Sequence, residues 1–263
     1  MADPMTDPVS TPGNDERPTE SAQKLDLSSL LDLLAHGEVT SHRDIPWSSN
    51  YTFLVEIERT PWRTLAVYKP QRGEAPLWDF RSGTRCYREY AAYLLSAALD
   101  WWLVPPTVLR SGPFGLGMVQ MYVDADPNET YFSLRHAYRS ELQRIAAFDA
   151  LTNNADRKGG HVLRAQSNDR IWAIDHGLTF HTEYKLRTVI WDFAGDPLPA
   201  AICHDLDALR AQLAKGQPLS DELGKLLSPG EIGALRRRLD GLLARGKFPI
   251  ENPNVRNYPW PAV

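Results

Sequence analysis

The chain has 263 residues, of which 43% are apolar and 24% charged, the make-up of a globular protein rather than a fibrous or disordered one. Acids outnumber bases 33 to 29, so the net charge of −4 argues against a broad basic surface for nucleic acid, and no nucleic-acid partner is expected. Cys86 and Cys203 are too few for a disulfide scaffold. With no basic start followed by an apolar run, and no apolar stretch long enough to span a bilayer, the reading is a reduced, cytoplasmic protein without a transmembrane segment.

Residues 1–24 hold four prolines, five acids and few large apolar side chains, and are read as a disordered tail. From Leu25 to His36 leucines recur at helical spacing, with Gly37 as a stop. Pro46 to Asn50 is a polar loop. Tyr51 to Glu58 alternates as a strand, Arg59 to Arg63 turns, and Thr64 to Tyr68 is a second strand. Thr84 to Leu99 has the wide apolar face of a helix. Thr107 to Arg110 and Met118 to Val123 form a predicted hairpin around Gly112 to Gly117.

Beyond Tyr131 the helical period dominates. Helices are expected over Glu141–Leu151, Leu206–Leu213 and Ser228–Ala244, with short strands near Val162 and over Ile171–Ile174. Ser228-Pro229-Gly230-Glu231 has the pattern of a helix start closed by a capping box. Strands with one helix, followed mainly by helices, suggest an α+β protein of two lobes with a cleft between them.

Four residues stand out as chemistry. Lys69 ends an apolar strand, and Glu89 follows twenty positions later on a predicted helix. That pairing is the arrangement that fixes a lysine against nucleotide phosphates. Asp156 lies in the loop Asn153-Asn154-Ala155-Asp156-Arg157-Lys158-Gly159-Gly160-His161. Asp175 leaves an apolar strand directly into the turn Asp175-His176-Gly177. Two aspartates on neighbouring loops suit phosphoryl transfer, one at the attacking hydroxyl and one at a divalent cation.

Lys69, Glu89, Asp156-Arg157 and Asp175-His176-Gly177 together resemble the protein-kinase-like superfamily, in the branch related to phosphatidylinositol 3- and 4-kinases. The resemblance is closer to an uncharacterised actinobacterial-type family related to them. Tyr68-Lys69-Pro70, Pro76 to Phe80, Asn153 to His161, Ile174 to His181 and Lys185 to Val189 carry it, over about residues 30–250.

The resemblance implies a bilobal kinase fold, with a β-rich N-lobe over 25–123 and a mainly helical C-lobe over 124–263. It implies an ATP-dependent phosphotransferase using Mg²⁺ or Mn²⁺. Lys69 would bind phosphates, Glu89 would anchor it, Asp156 would be the catalytic aspartate and Asp175 the metal aspartate. Ser48, Ser49 and Asn50 would hold the phosphate-loop position. The strand carrying Gln120 and Tyr122 would lead to the hinge that reads adenine. The phosphoryl acceptor, whether a protein, lipid headgroup or small-molecule hydroxyl, is left open.

Two positions depart from that family. No Gly-x-Gly-x-x-Gly precedes Tyr51, and His161 stands where the lipid kinases place a metal-binding asparagine. His161 is read as a ligand of an atypical ion or as a substrate contact, or else the second metal site is missing. His176 is expected to pack or donate a hydrogen bond. These departures motivate a second reading, a nucleotide-binding module without transfer activity. A third, more distant, is a metal-dependent hydrolase using Asp156, His161, Asp175, His176 and His181.

Overall fold

The computed structural model describes residues 25–45 and 51–263. The expected tail at 1–24 and the phosphate-loop candidates Ser48, Ser49 and Asn50 lie outside the described residues. The fold is the α+β, two-lobed one that the sequence suggests. Helix α1 (Leu27–His36) begins at Asp26, whose carboxylate accepts from Ser29 N–H at 2.7 Å and caps the first turn.

Five antiparallel strands follow in spatial order β1-β2-β3-β5-β4: β1 (Glu38–Asp44), β2 (Phe53–Arg59), β3 (Trp62–Pro70), β4 (Thr107–Gly112) and β5 (Gly115–Met121). Helix α2 (Arg85–Ala98) lies between β3 and β4 in the chain. Leu33 and Leu34 of α1 are 1% and 0% exposed against Phe53, Val55, Ile57 and Val119 of the sheet. Burial of each contributes about 1.5–3 kcal/mol.

The second lobe is helical: α3 (Tyr131–Leu134), α4 (Arg139–Thr152), α5 (Ala200–Gln212), α6 (Pro218–Leu226) and α7 (Pro229–Arg245). A short hairpin, β6 (Val162–Arg164) with β7 (Ile171–Ala173), sits between α4 and α5 in sequence. The large apolar core runs from Ala91 and Leu95 of α2 through Ile145 and Phe148 of α4 to Leu235 and Leu239 of α7. The expected capping box is present: Ser228 Oγ accepts from Glu231 N–H, and the Glu231 carboxylate accepts from Ser228 N–H at 2.8 Å. Among the described residues no helix is long and apolar enough to cross a membrane.

Three elements were not foreseen. Strand β1 is exposed at all but one position, so it shows no apolar alternation. It is an edge strand, defined by its pairing with β2 rather than by its own pattern. The other two, α3 and α6, span 4 and 9 residues, too short for a helical period to stand out.

Two constraints place the parts that matter below. The first is Gly117 on β5. A Cβ there would meet Lys69 O at 2.5 Å and Pro70 Cα at 2.7 Å, so only glycine lets β5 approach the end of β3 this closely. The second is the ion pair Arg157–Asp149, both side chains 0% exposed, with Nε–Oδ2 at 2.9 Å. Arg157 also donates to Ile174 O (2.7 Å) and His161 O (3.3 Å), so one guanidinium ties α4, the loop after it and the end of β7.

Gly117→Ala is expected to destabilise the protein by about 1–3 kcal/mol through forced displacement of β3, read from urea midpoints. Asp149→Leu is expected to cost about 3–5 kcal/mol, because it strands a buried guanidinium. The same urea titration measures it.

Candidate active site

Between the sheet and the helical lobe lies a cavity of about 160 Å³, lined by Lys69, Glu89, Asp156, Asp175, Gly177 and Tyr51 among others. Lys69 comes from the last turn of alternation in β3, opposite Met118 of β5. Its Nζ donates to Glu89 Oε1 at 2.7 Å and to Asp175 Oδ1 at 2.9 Å. Burial alone would discourage charge on this lysine. The carboxylates of Asp175 and Glu89 more than offset that, holding its pKa above the usual lysine value.

Glu89 is 1% exposed, and its second oxygen accepts from His176 N–H at 2.8 Å. Burial raises its pKa, with Lys69 opposing. The neighbouring Arg88 fixes the helix that carries Glu89. Its guanidinium donates to Thr179 O at 2.6 Å and pairs with Glu231 at the start of α7.

Asp175 sits just past β7 at φ 60°, a left-handed conformation that a non-glycine residue adopts at a cost of about 1–2 kcal/mol. This turn presents its carboxylate to the cavity, where the side chain remains 43% exposed. Burial works against its charge. Lys69 first and His161 second reverse that and hold its pKa below the ordinary aspartate range. Asp175 therefore stays anionic with one oxygen on Lys69 and the other 3.3 Å from His161 Nε2.

His161 Nδ1 accepts from Lys158 N–H at 3.4 Å, so the neutral ring carries its proton on Nε2, toward Asp175. Burial keeps it neutral, pulling its pKa down to about 4 against the pull of Asp175.

Asp156 follows the left-handed C-cap Asn153 (φ 56°, ψ 52°), where asparagine is tolerated. The Asn153 amide donates to His181 O and Glu183 O, at 3.1 and 2.6 Å, and its oxygen accepts from Lys185 N–H at 2.8 Å. Asn154 Oδ1 in turn accepts from Asp156 N–H at 3.0 Å. Burial raises the Asp156 pKa, while Lys158, 3.4 Å away, pulls it back and Asp175 adds to the rise.

The structure thus brings Lys69, Glu89, Asp156 and Asp175 to one cavity, with His161 3.3 Å from Asp175. Gln120 is only 4% exposed, and its amide nitrogen donates to Thr107 Oγ1 at 2.9 Å. Tyr122 is half-exposed, and its N–H donates to Leu65 O at 3.1 Å.

Three groups in the motif stretches received no role from the sequence. Lys158 stands against Asp156. Arg187 also acts electrostatically on Asp156, and its Nε is buried without a partner. Arg157 organises the loop from inside. Lys158 had a cue in its position two residues after Asp156; Arg157 and Arg187 lie in the motif stretches, but their contacts depend on distant residues.

The remaining histidines are structural. His176 packs edge-on to Phe148 at 5.6 Å, as expected, but its Nε2 accepts from Arg157 (2.7 Å) rather than donating. His181 Nδ1 accepts from Glu183 N–H, so its Nε2–H donates to Asp79 O at 3.0 Å. Among the described residues no three His, Cys, Asp or Glu side chains cluster as a metal site.

No protein-family model matches the chain. In fold it is similar to hydra Fam20 with sugar, at a TM-score of 0.57 and 13% identity, over 85% of this chain and 89% of that one. It is also similar to the Golgi casein kinase with Mn/ADP bound, at a TM-score of 0.54 and 14% identity, over 90% and 80%. These likenesses show a kinase-like fold. In sequence, phosphatidylinositol 4-kinase gamma 4 of Oryza sativa subsp. japonica is 28% identical over 137 residues, 45% of this chain but 24% of that protein. The specific tie to phosphatidylinositol kinases remains a partial resemblance. Protein Rv2133c of Mycobacterium tuberculosis (strain ATCC 25618 / H37Rv) is 40% identical over 265 residues, 88% of this chain and 94% of that protein. With a kinase-like fold and that extent of identity, the chain belongs to the same family as Rv2133c.

Proposed function

We propose that the protein is an ATP-dependent phosphotransferase that moves a phosphoryl group to a hydroxyl acceptor. The observation that carries this reading is the position of Lys69 Nζ, 2.7 Å from Glu89 and 2.9 Å from Asp175, in a cavity that also holds Asp156. A lysine held charged between two carboxylates is oriented before a nucleotide arrives, so binding its phosphates costs little reorganisation. Asp175 is the anionic residue suited to a divalent cation, Mg²⁺ or Mn²⁺. That cation, when bound, neutralises negative charge on the transferring group.

His161 serves Asp175 in this reading. The Nε2 proton faces the carboxylate, which makes the ring an orienting group rather than the metal ligand its sequence position suggests. Asp156 accepts the proton of the attacking hydroxyl. Its raised pKa makes it a stronger base than an exposed aspartate, and Lys158 opposes the rise. The hinge end of β5 offers backbone rather than side-chain contacts to adenine, since the Gln120 amide is taken.

Purified protein with ATP and Mg²⁺ or Mn²⁺ is expected to turn over ATP, and Lys69→Met, Asp156→Asn and Asp175→Ala to lower kcat by about a hundredfold or more. Turnover that survives both aspartate substitutions overturns the reading. Nucleotide-dependent thermal stabilisation without turnover on any acceptor leaves the binding module instead.

The pH profile is a second test. Asp156 must be ionised to act, and its pKa is raised. Activity is therefore complete above that pKa and lost as pH falls through it, at a higher pH than an ordinary aspartate gives. Lys158→Ala removes the opposing charge and is expected to shift this acid limb further up in pH, measured as kcat/KM against pH.

A further inference from the structure

A second cavity, of about 1000 Å³, opens in the helical lobe away from Lys69. One wall is the face of α7 that carries Ala234, Arg237, Arg238, Gly241, Leu242 and Arg245. The opposite side is the Lys247–Pro253 segment, and the Thr182–Leu186 stretch closes one flank. Its accessible apolar surface comes from Tyr184 and Ile250, 46% and 67% exposed, beside the buried Leu186, Leu242 and Phe248.

Its rim is basic. Arg237, Arg245 and Lys247 are exposed, and together with Arg238 they make no ion pair among the described residues. The one acid in the lining, Glu251, is occupied by the Tyr258 hydroxyl. Arg238 donates to Leu151 O (2.8 Å) and His181 O (3.0 Å), but its Nη2 is buried with no partner. Burial, and then Arg237, pull its pKa down to about 10, as happens to a cation lacking its anion. Arg245 folds back along the helix, 3.1 Å from where a Cβ on Gly241 would stand, so Gly241 leaves room for that guanidinium beside the groove.

The spacing of these charges selects the ligand. Arg237 and Arg245 are eight residues apart on one helix, about 12 Å along its axis. One phosphate cannot bridge that span. An extended chain covers it in about four residues at roughly 3.3 Å each. Between two acids so spaced, one side chain points to that apolar surface.

We propose that this groove docks an extended acidic peptide segment of a partner protein, with two carboxylates about four residues apart flanking an apolar residue. The acids meet Arg237 and Arg245, and the apolar side chain packs on the exposed Tyr184 and Ile250 of the lining. Because Arg238 and Asn153 both hold His181 O, the groove wall is joined through one carbonyl to the loop that carries Asp156. The docking itself goes beyond the phosphotransferase reading and does not require it.

The test is fluorescence anisotropy of the full chain without nucleotide, using a labelled decapeptide with two glutamates four residues apart around a central leucine. Binding is expected to weaken with added salt, and about tenfold or more in the Arg237→Glu/Arg245→Glu double variant, whose positions are exposed and leave the fold intact. Replacing the peptide's leucine with serine is expected to weaken it several-fold.

Binding of the double variant within about twofold of wild type overturns the proposal, as does equal binding of a lysine-for-glutamate peptide. No binding of the acidic peptide at low salt also overturns it. If inorganic triphosphate binds at these arginines and the peptide does not, the groove is a small-anion site and the peptide proposal fails. Loss of ATP turnover in Asp175→Ala with peptide binding unchanged separates the two readings.

Discussion

The arrangement rests on a guanidinium that solvent never reaches. Arg157 and Asp149 are both fully buried, and a pair of this kind earns its desolvation cost only if every remaining donor finds a partner. Here the donors are used. Three contacts go to Asp149, others to Ile174 O and His161 O, and one to His176 Nε2. Asn154 completes the Asp149 side by donating at 3.0 Å. The consequence is geometric. The loop holding Asp156 and the turn holding Asp175 come from segments nineteen residues apart, and this one side chain fixes both to the end of α4.

The other side of the cavity is set differently. Lys69 reaches across from the sheet to Asp175 in the helical lobe, and Glu89 shares it from α2. A strand, a helix and a loop thus meet at one ammonium. That contact would be weak if α2 could swing. Arg88 prevents this by reaching Glu231 and Thr179 O, so the residue beside Glu89 anchors the helix to the second lobe. Asp79 extends the seam: it pairs with Lys185 at 2.9 Å, and its carbonyl takes the His181 N–H.

Much of this was legible in the sequence because the signals were local. The alternation of Tyr51 to Glu58, the leucine spacing of α1 and the Ser228–Glu231 box each need only neighbouring residues to be read, and each corresponds to an element of the fold. The candidate site was legible where residue types were unusual for their place: a lysine closing an apolar strand, and an aspartate leaving one. What escaped is what distant contacts decide. Strand β1 exists through its partner, and Arg157 looks like any loop arginine until Asp149 lies against it. The Gln120 side chain, a plausible nucleotide contact from its strand position, is claimed by Thr107 across the β4–β5 hairpin.

His161 shows how one substitution in a shared framework changes a role without dismantling the site. An asparagine at that position can present an oxygen to a metal. A histidine whose Nδ1 is engaged by a backbone N–H can present only a proton on Nε2 while neutral, and burial keeps it neutral. The carboxylate of Asp175 faces that proton on one side and the Lys69 ammonium on the other. Its charge is thus balanced by groups that do not compete for a cation's coordination sphere. In the proposed phosphotransferase reading, that leaves Asp175 as the one anionic ligand of a cation whose other positions phosphates and water fill, the coordination Mg²⁺ favours.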